Sequence, residues 1–389
     1  TRLPMREVHE SVPSGGMRVS VECFEPEGSE NAPAIVALHG SGGMSRGAPI
    51  VRALIKPIVS MVISVYNEER IVARKIENAL ALDYPAGHLE ILVISDGSTD
   101  DTEKIVRGFS DGRVVLRAFR ERSGKTACLN RAVPEARGDI ILFTDANSMY
   151  PEDILVKLVR NFADQEIGLV TGWTRYGEVD QIEDTTGIYS RFEKWTKIQE
   201  SHVSSCVGAD GAVFAIRKEL FRTLREDDIN DFVIPLNVIR QGKRVVMDPD
   251  VYCFEKSADE AGKEYQRQVR ITNRTLNAIR RNLEFLNPFR YGSFTYFLVS
   301  HKIMRFLVPF FLIATFATNL MILGTSHLYN FTFTCQLAAL AVALSGVLGF
   351  TRGKITDIAK FFLVTMLAQL TAWFRTLAGI SDTMWTPQR

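Results

Sequence analysis

The 389-residue chain is 46% apolar and has a formal charge of +1 at neutral pH. That balance excludes an intrinsically disordered chain and a strongly nucleic-acid-seeking one, so no nucleic-acid partner is expected, and the length allows two or three compact units. The five cysteines, Cys23, Cys128, Cys206, Cys253 and Cys335, are odd in number, widely scattered and without a C-x-x-C spacing, which points to neither a disulfide framework nor a zinc site.

The chain opens on polar residues from Thr1, without the pattern of a cleavable signal peptide, which predicts a fragment or processed form. In residues 1–55, Pro33-Ala34-Ile35-Val36-Ala37-Leu38-His39-Gly40-Ser41-Gly42-Gly43 resembles the strand and oxyanion-loop start of a dienelactone-hydrolase-like α/β hydrolase. No G-x-S-x-G nucleophile elbow follows anywhere, so a partial module without hydrolase activity is expected.

Residues 58–162 alternate strand and helix patterns. Short β-branched runs at 58–65, 89–95, 113–118 and 139–144 are separated by amphipathic stretches near 68–82, 100–109 and 124–136. Such alternation predicts a mostly parallel sheet covered by helices, with ligands at the carboxyl ends of the strands. Polar residues stand at those ends: Tyr66-Asn67-Glu68 after the first run, Asp96-Gly97-Ser98 after the second, Asp145-Ala146-Asn147 after the fourth. Strand alternation puts Asp145 and Asn147 on one face, where a carboxylate and an amide oxygen can converge on a hard cation.

From Gly168 to Glu255 the strands become less regular, with Gly208-Ala209-Asp210-Gly211 before an apolar run and Asp227-Asp228-Ile229-Asn230-Asp231 before a helix expected over 232–241. After Asp259 a helix is predicted whose Arg267, Arg270, Arg274 and Arg281 form a cationic face, open to phosphate or to membrane contact. From Phe306 to Thr351 no Asp, Glu, Lys or Arg occurs, enough for two membrane crossings separated at Gly324-Thr325-Ser326-His327. A third apolar stretch, 361–374, suits a crossing or an interfacial helix. Arg280, Arg281, Arg290, Lys302 and Arg305 before the first crossing, and Arg352, Lys354 and Lys360 after the second, place the large amino-terminal part in the cytoplasm.

The ordered set of motifs, Val59 to Glu69, Asp96 to Thr102, Gly124-Lys125 with Leu129-Asn130, Asp145-Ala146-Asn147, Gly208 to Gly211 and Asn230-Asp231-Phe232, resembles the family-2 glycosyltransferases. Ser300-His301-Lys302 and the closing Trp385 to Arg389 further resemble the membrane-bound members that make polysaccharides. The resemblance implies a Rossmann-like A-type nucleotide-sugar domain at 57–285, of α/β class with a mostly parallel sheet, followed by a membrane region at 293–381. It also implies inverting transfer from a UDP-sugar to a growing glycan at the inner or plasma membrane, with a polyprenyl-phosphate lipid acceptor as the alternative.

The resemblance assigns residues too. Tyr66, Asn67, Glu68, Lys125 and Arg267 fall on the donor side, and Asp96 accepts from the uracil or ribose, with a cap of residues 98–100 as the structural alternative. Asp145 holds a divalent metal, Mg2+ or Mn2+, and through it the diphosphate, and Asn147 keeps an oxygen ligand where the family has a second carboxylate. Gly208, Ala209 and Asp210 fall on the acceptor side. Asp231 is the expected general base, with Asp228 as the alternative for a shifted alignment and an N-cap as the structural reading. In Arg267-Gln268-Val269-Arg270-Ile271, Arg270 matches the diphosphate-pairing arginine of the processive synthases' Q-x-x-R-W. Ile271 replaces its tryptophan and removes an aromatic platform for an acceptor sugar.

Overall fold

The computed structural model describes residues 5–14, 17–26, 35–39, 57–177, 188–255 and 261–381. Strands β1 (Met5–Ser14), β2 (Met17–Pro26) and β3 (Ile35–His39) form an antiparallel three-stranded sheet. The expected Gly40-Ser41-Gly42-Gly43 loop and the closing Trp385 to Arg389 lie outside the described residues.

The main sheet has seven strands: β4 (Val59–Val65), β5 (Leu89–Asp96), β6 (Val114–Phe119), β7 (Ile140–Asp145), β8 (Ile167–Tyr176), β9 (Phe214–Arg217) and β10 (Arg244–Glu255). Their order is β10-β8-β9-β7-β4-β5-β6, and only β9 runs against its neighbours. The four runs expected between 58 and 144 are β4 to β7. Three connecting helices, α1 (Val72–Leu80), α2 (Thr102–Arg107) and α3 (Lys125–Glu135), are each shorter than their amphipathic stretch. Strands β4 and β5 are buried on both faces, which is why they read as unbroken apolar runs.

Chain order reverses beside β4: β5 and β6 extend the sheet one way, while β7 pairs with the opposite edge of β4. A crevice opens at such a switch point, outside the carboxyl ends of the strands. Register fixes what lines it, since Ser64 of β4 pairs with Asp145 and Val65 with Ser95. The ends of β7, β4 and β5 therefore stand side by side.

Four further helices belong to this part of the chain: α4 (Ile154–Val159), α5 (Ile188–Val203), α6 (Asn230–Arg240) and α7 (Ala261–Arg281). Helix α6 starts two residues earlier than expected, so Asp231 lies in its first turn. Three helices long and apolar enough to cross a membrane follow: α8 (Ser293–Met321), α9 (His327–Val347) and α10 (Lys354–Leu377). The α8–α9 break falls where expected, with the Ser326 side chain capping α9 through Leu328 N. Helix α8 begins well before the uncharged run and takes in Lys302 and Arg305, which the sequence placed ahead of the crossing. Helix α10 packs along α7 through Tyr265–Thr371 (2.8 Å) and Asn273–Thr376 (2.9 Å) hydrogen bonds.

Candidate active site

At the end of β4 the chain turns sharply, and Asn67 adopts φ +53°, a left-handed conformation that asparagine tolerates better than most residues. Its amide oxygen accepts from Thr99 N at 2.7 Å, and its own N–H donates to Ser98 Oγ at 3.1 Å. Glu68 N donates to Thr102 Oγ1 at 2.8 Å. Tyr66 lies under the Arg122 guanidinium, 3.9 Å from the ring centroid. The first two strand ends are thus tied together.

Asp96 is buried, and neither of its oxygens caps residues 98–100. Oδ1 accepts from Ser123 N at 2.7 Å and Oδ2 from Gly124 N at 2.8 Å, fixing the turn that launches α3. That turn aims Lys125 across the crevice, and its Nζ lies 2.6 Å from Asp145 Oδ1.

Strand β7 stops at Asp145 and residues 146–147 turn, so strand alternation does not extend to Asn147, which is exposed. The turn is held from beneath by Lys75, fully buried in α1, which donates to Thr144 Oγ1 at 3.0 Å and to Ser148 O, and lies over the Tyr150 ring. Burial brings its ammonium down to about 7. Glu255, at the end of β10, accepts from Ser148 Oγ. Burial first, then the Asp145 charge, pushes Glu255 up to about 7. Lys75 and Glu255 were not singled out in the sequence; a lysine on the apolar face of an amphipathic helix was the available signal for the first. Asp145 and Asn147 each bring an oxygen of the kind that binds a hard divalent cation, one carboxylate and one amide. Among the described residues no cluster of three His, Cys, Asp or Glu stands as a self-sufficient metal cage.

At the residues expected on the acceptor side, Gly208 (φ +76°) lets the backbone pass close to α6: Ala209 N donates to Asp231 O at 2.7 Å. A Cβ on Gly211 would stand 3.2 Å from Asp231 Oδ2. Asp210 accepts from Thr174 Oγ1 and Ala212 N, both at 3.0 Å, and its burial raises its carboxyl above the usual range. Asp231 Oδ1 is buried and accepts no hydrogen bond. Burial raises this carboxyl too, opposed by Lys125, Lys302, Lys197 and Arg274 in that order.

Asp228, the alternative base, is structural. Its Oδ1 pairs with Arg281 Nη2 at 2.6 Å, and its Oδ2 accepts from Arg225 N at 2.9 Å. The expected cationic face of α7 is divided by this loop. Arg274 is buried and donates to the carbonyls of Asp227 (3.1 Å) and Asp228, and Arg281 also pairs with Asp227 at 2.7 Å. Those two arginines hold the 226–228 loop instead of meeting phosphate or lipid, because a buried guanidinium needs nearby oxygens. Arg267, two turns earlier, is near Tyr176 and Glu255 and bonds Glu264 at 3.3 Å. Arg270 and Ile271 follow it, half-buried.

Residues 60–225 match the family described as glycosyl transferase family 2. A beta-monoglucosyldiacylglycerol synthase of Nostoc sp. is 32% identical over 118 residues, 29% of this chain and 25% of that protein. A poly-beta-1,6-N-acetyl-D-glucosamine synthase of Staphylococcus aureus is 23% identical over 229 residues, 54% of this chain and 53% of that protein. The chain thus spans between a quarter and about half the length of these relatives. A mannosyltransferase from Pyrobaculum calidifontis, solved in complex with GDP-Man and Mn2+, superposes with a TM-score of 0.64 at 22% identity, over 84% of this chain and 88% of that one. The fold is therefore the A-type nucleotide-sugar fold, and the chain carries a family-2 glycosyltransferase domain.

Proposed function

We propose, from a family-2 glycosyltransferase domain at residues 60–225, that this protein is a membrane-embedded inverting transferase that moves a sugar from a UDP-sugar to a glycan. One observation carries the reading: Lys125 Nζ contacts Asp145 at 2.6 Å, and its charge is also the first of those that oppose the effect of burial on Asp231, whose Oδ1 accepts no hydrogen bond. A nucleotide diphosphate on the Asp145 side and an acceptor hydroxyl on the Asp231 side then flank one sugar. Lys125 is available to the leaving diphosphate once the donor displaces it from Asp145.

Asp145 and Asn147 are the residues that would hold the divalent cation, which when bound neutralises charge on the departing diphosphate. The chain's own groups account for the rest. Asp231 removes the proton of the acceptor hydroxyl as that oxygen bonds to the anomeric carbon, and the bond to the diphosphate breaks with its electron pair going to the UDP. Desolvation favours proton uptake by Asp231, and the charges of Lys125, Lys302, Lys197 and Arg274 oppose it. With one base and no second nucleophile argued for, a single displacement inverts the anomeric centre.

A lipid acceptor is the second reading, favoured by the name of the Nostoc relative and by membrane helices beside the acceptor side. UDP release from UDP-glucose, UDP-N-acetylglucosamine, UDP-glucuronate and UDP-galactose tests the donor. Partition of radiolabelled product between water and organic solvent separates glycan from lipid acceptor. Absence of UDP release with all four donors would leave a scaffold or glycan-binding role. In this reading, residues 57–285 face the cytoplasm from the inner or plasma membrane, and residues 1–55 contribute no chemistry.

A further inference from the structure

The head of α8 is fixed to the catalytic domain. His301 Nδ1 lies 2.8 Å from Glu200 Oε1, the other Glu200 oxygen accepts from Val207 N at 3.0 Å, and Arg305 reaches Glu193, which also faces Lys197 at 3.7 Å, at 4.0 Å. From there α8 runs away from the domain and α9 returns beside it. Their contacts set the register of this hairpin: the Asn319 and Thr332 side chains hydrogen-bond at 3.0 Å, and the Phe316 and Phe333 ring centroids lie 5.4 Å apart. Phe306 lies 13 residues before Asn319 and Gly346 lies 14 after Thr332, so at about 1.5 Å per residue both stand about 20 Å from that contact, toward the catalytic domain. They are the two feet of one hairpin, level with each other.

Helix α10 touches both feet. At its start, a Cβ on Gly346 would stand 2.6 Å from Thr356 Cγ2 and 3.3 Å from Lys360 Cβ, so the bare glycine lets α9 and α10 meet. Near its end, Trp373 Nε1 donates to Phe306 O at 2.8 Å, and its ring meets Phe310 edge-on with centroids 5.8 Å apart. Thr356 and Trp373 are 17 residues apart, which is about 25 Å of helix. A helix crossing the bilayer would separate them by most of the hydrocarbon thickness of about 30 Å. Here both meet the hairpin at one depth. The last turns of α10 then continue along the catalytic domain, where Thr371 bonds Tyr265, Thr376 bonds Asn273, and Asn273 Nδ2 also donates to Ile380 O at 3.1 Å.

We propose that α10 does not cross: it lies in the plane of the membrane surface as a crossbar between the feet of a two-span hairpin, and lipid of the leaflet nearest the catalytic domain covers the apolar side chains that neither α7 nor the hairpin buries. Those include Ile358, Phe361, Phe362, Phe374 and Leu377, between 49% and 75% exposed. Lys354 and Lys360 near one end and Arg375 near the other can extend their charges to anionic headgroups. Composition does not separate this placement from a crossing, because the charges of α10 stand near its ends in either case. The contacts at Gly346 and Phe306 do. Two spans return Ile380 to the side of the catalytic domain, where Asn273 holds it, whereas a third would carry it across. The catalytic domain is thus seated on the bilayer through a helix that also buttresses α7, whose Arg274 and Arg281 hold the 226–228 loop. The inference rests on α8 and α9 as spans and not on the transfer chemistry.

The test uses the full chain in proteoliposomes, with Cys23→Ser and Cys335→Ser as background, since Cys128, Cys206 and Cys253 are buried. Single reporters are placed at exposed positions: Lys104→Cys in α2, His327→Cys at the α8–α9 turn and Ala378→Cys after α10. With a membrane-impermeant maleimide added before and after permeabilisation, Ala378→Cys should label from the same side as Lys104→Cys, and His327→Cys from the other. Ala378→Cys labelling together with His327→Cys means that α10 crosses and overturns the proposal. His327→Cys labelling together with Lys104→Cys removes the α8–α9 spans, and with them both this inference and the membrane reading. Spin labels at Phe362→Cys and Phe374→Cys test the lipid contact: both should collide more with oxygen than with a water-soluble nickel chelate, at equal and shallow depth. A deep Phe362 label beside a shallow Phe374 label marks a crossing, and labels that meet the nickel chelate first, or neither reagent, overturn the assignment of lipid as the partner.

Discussion

Lys125 Nζ and Asp145 Oδ1 stand 2.6 Å apart across the mouth of the crevice, a lysine from the start of α3 meeting the last residue of β7. Both are partly exposed, so the contact adds little to stability. Its consequence under the proposed function is chemical, because both groups are assigned to the leaving diphosphate. Asp145→Ala should abolish turnover and weaken metal-dependent UDP binding, since the diphosphate is held in ground and transition states alike. Isothermal titration with UDP and Mn2+ alongside turnover decides it, and unchanged turnover would remove the central claim.

Asp231→Asn should bind donor normally and lose about 100- to 10,000-fold in kcat, the usual contribution of a general base. Stability supplies a second signature. Burial raises this carboxyl in the folded state, so its contribution is fully present below the unfolded pKa and is lost as pH rises through the folded value. The asparagine variant should therefore melt at or above the wild-type temperature at pH 8, and the gap should narrow or reverse toward pH 4. A donor affinity that collapses while kcat stays normal would show the role misassigned.

Asp228 predicts the opposite behaviour. With Arg281 on one oxygen and Arg225 N on the other, its replacement leaves a half-buried guanidinium short of a partner. Asp228→Ala should destabilise by about 2 kcal/mol or more, within the range for breaking an enclosed ion pair. The pH profile of the remaining activity should keep its shape, as measured on the folded fraction. A shifted acid limb without loss of stability would return Asp228 to the catalytic step.

Detergent should be needed to extract the protein, with carbonate and high salt ineffective, because Phe306 to Thr351 carries no charge and three helices are long enough to cross. Release by salt alone would mean peripheral attachment. Deleting residues 1–55 should leave activity largely intact, since every chemical group argued for follows Pro57. Complete loss with normal folding would give that segment a role.

What the sequence revealed follows from which interactions are local. The strands β4 to β7 were legible because apolar runs with polar ends report burial directly, and Asp96, Asp145 and Asp231 stood in motifs. Lys75 was not, because a buried lysine acquires meaning only from neighbours far along the chain, here Thr144 and Ser148. The same holds for Asp228, which sequence spacing left beside Asp231 as a rival. Arg281, 53 residues on, is what separates them. Glu193, Lys197 and Glu200 do recur at four and seven residues, a helical face that length and pattern alone would have taken as solvated.

Product length turns on Ile271, where processive synthases of the resembled family carry tryptophan. Retaining a polymer between transfers requires a surface for its terminal sugar, and a branched aliphatic side chain lacks the flat face that stacks on a pyranose. Two of the three described tryptophans are engaged with backbone carbonyls. Trp173 is buried and donates to Pro249 O at 2.9 Å, Trp373 donates to Phe306 O at 2.8 Å, and Trp195 is exposed on α5, stacked on Phe192. Ile271 itself is half-buried, which leaves partial room for a larger ring. Short or moderate products are therefore expected from the unaltered enzyme, and Ile271→Trp should lengthen them. Gel filtration of labelled product made with excess donor measures both, and a dominant void-volume polymer from the unaltered enzyme would show that acceptor retention does not depend on an aromatic residue here.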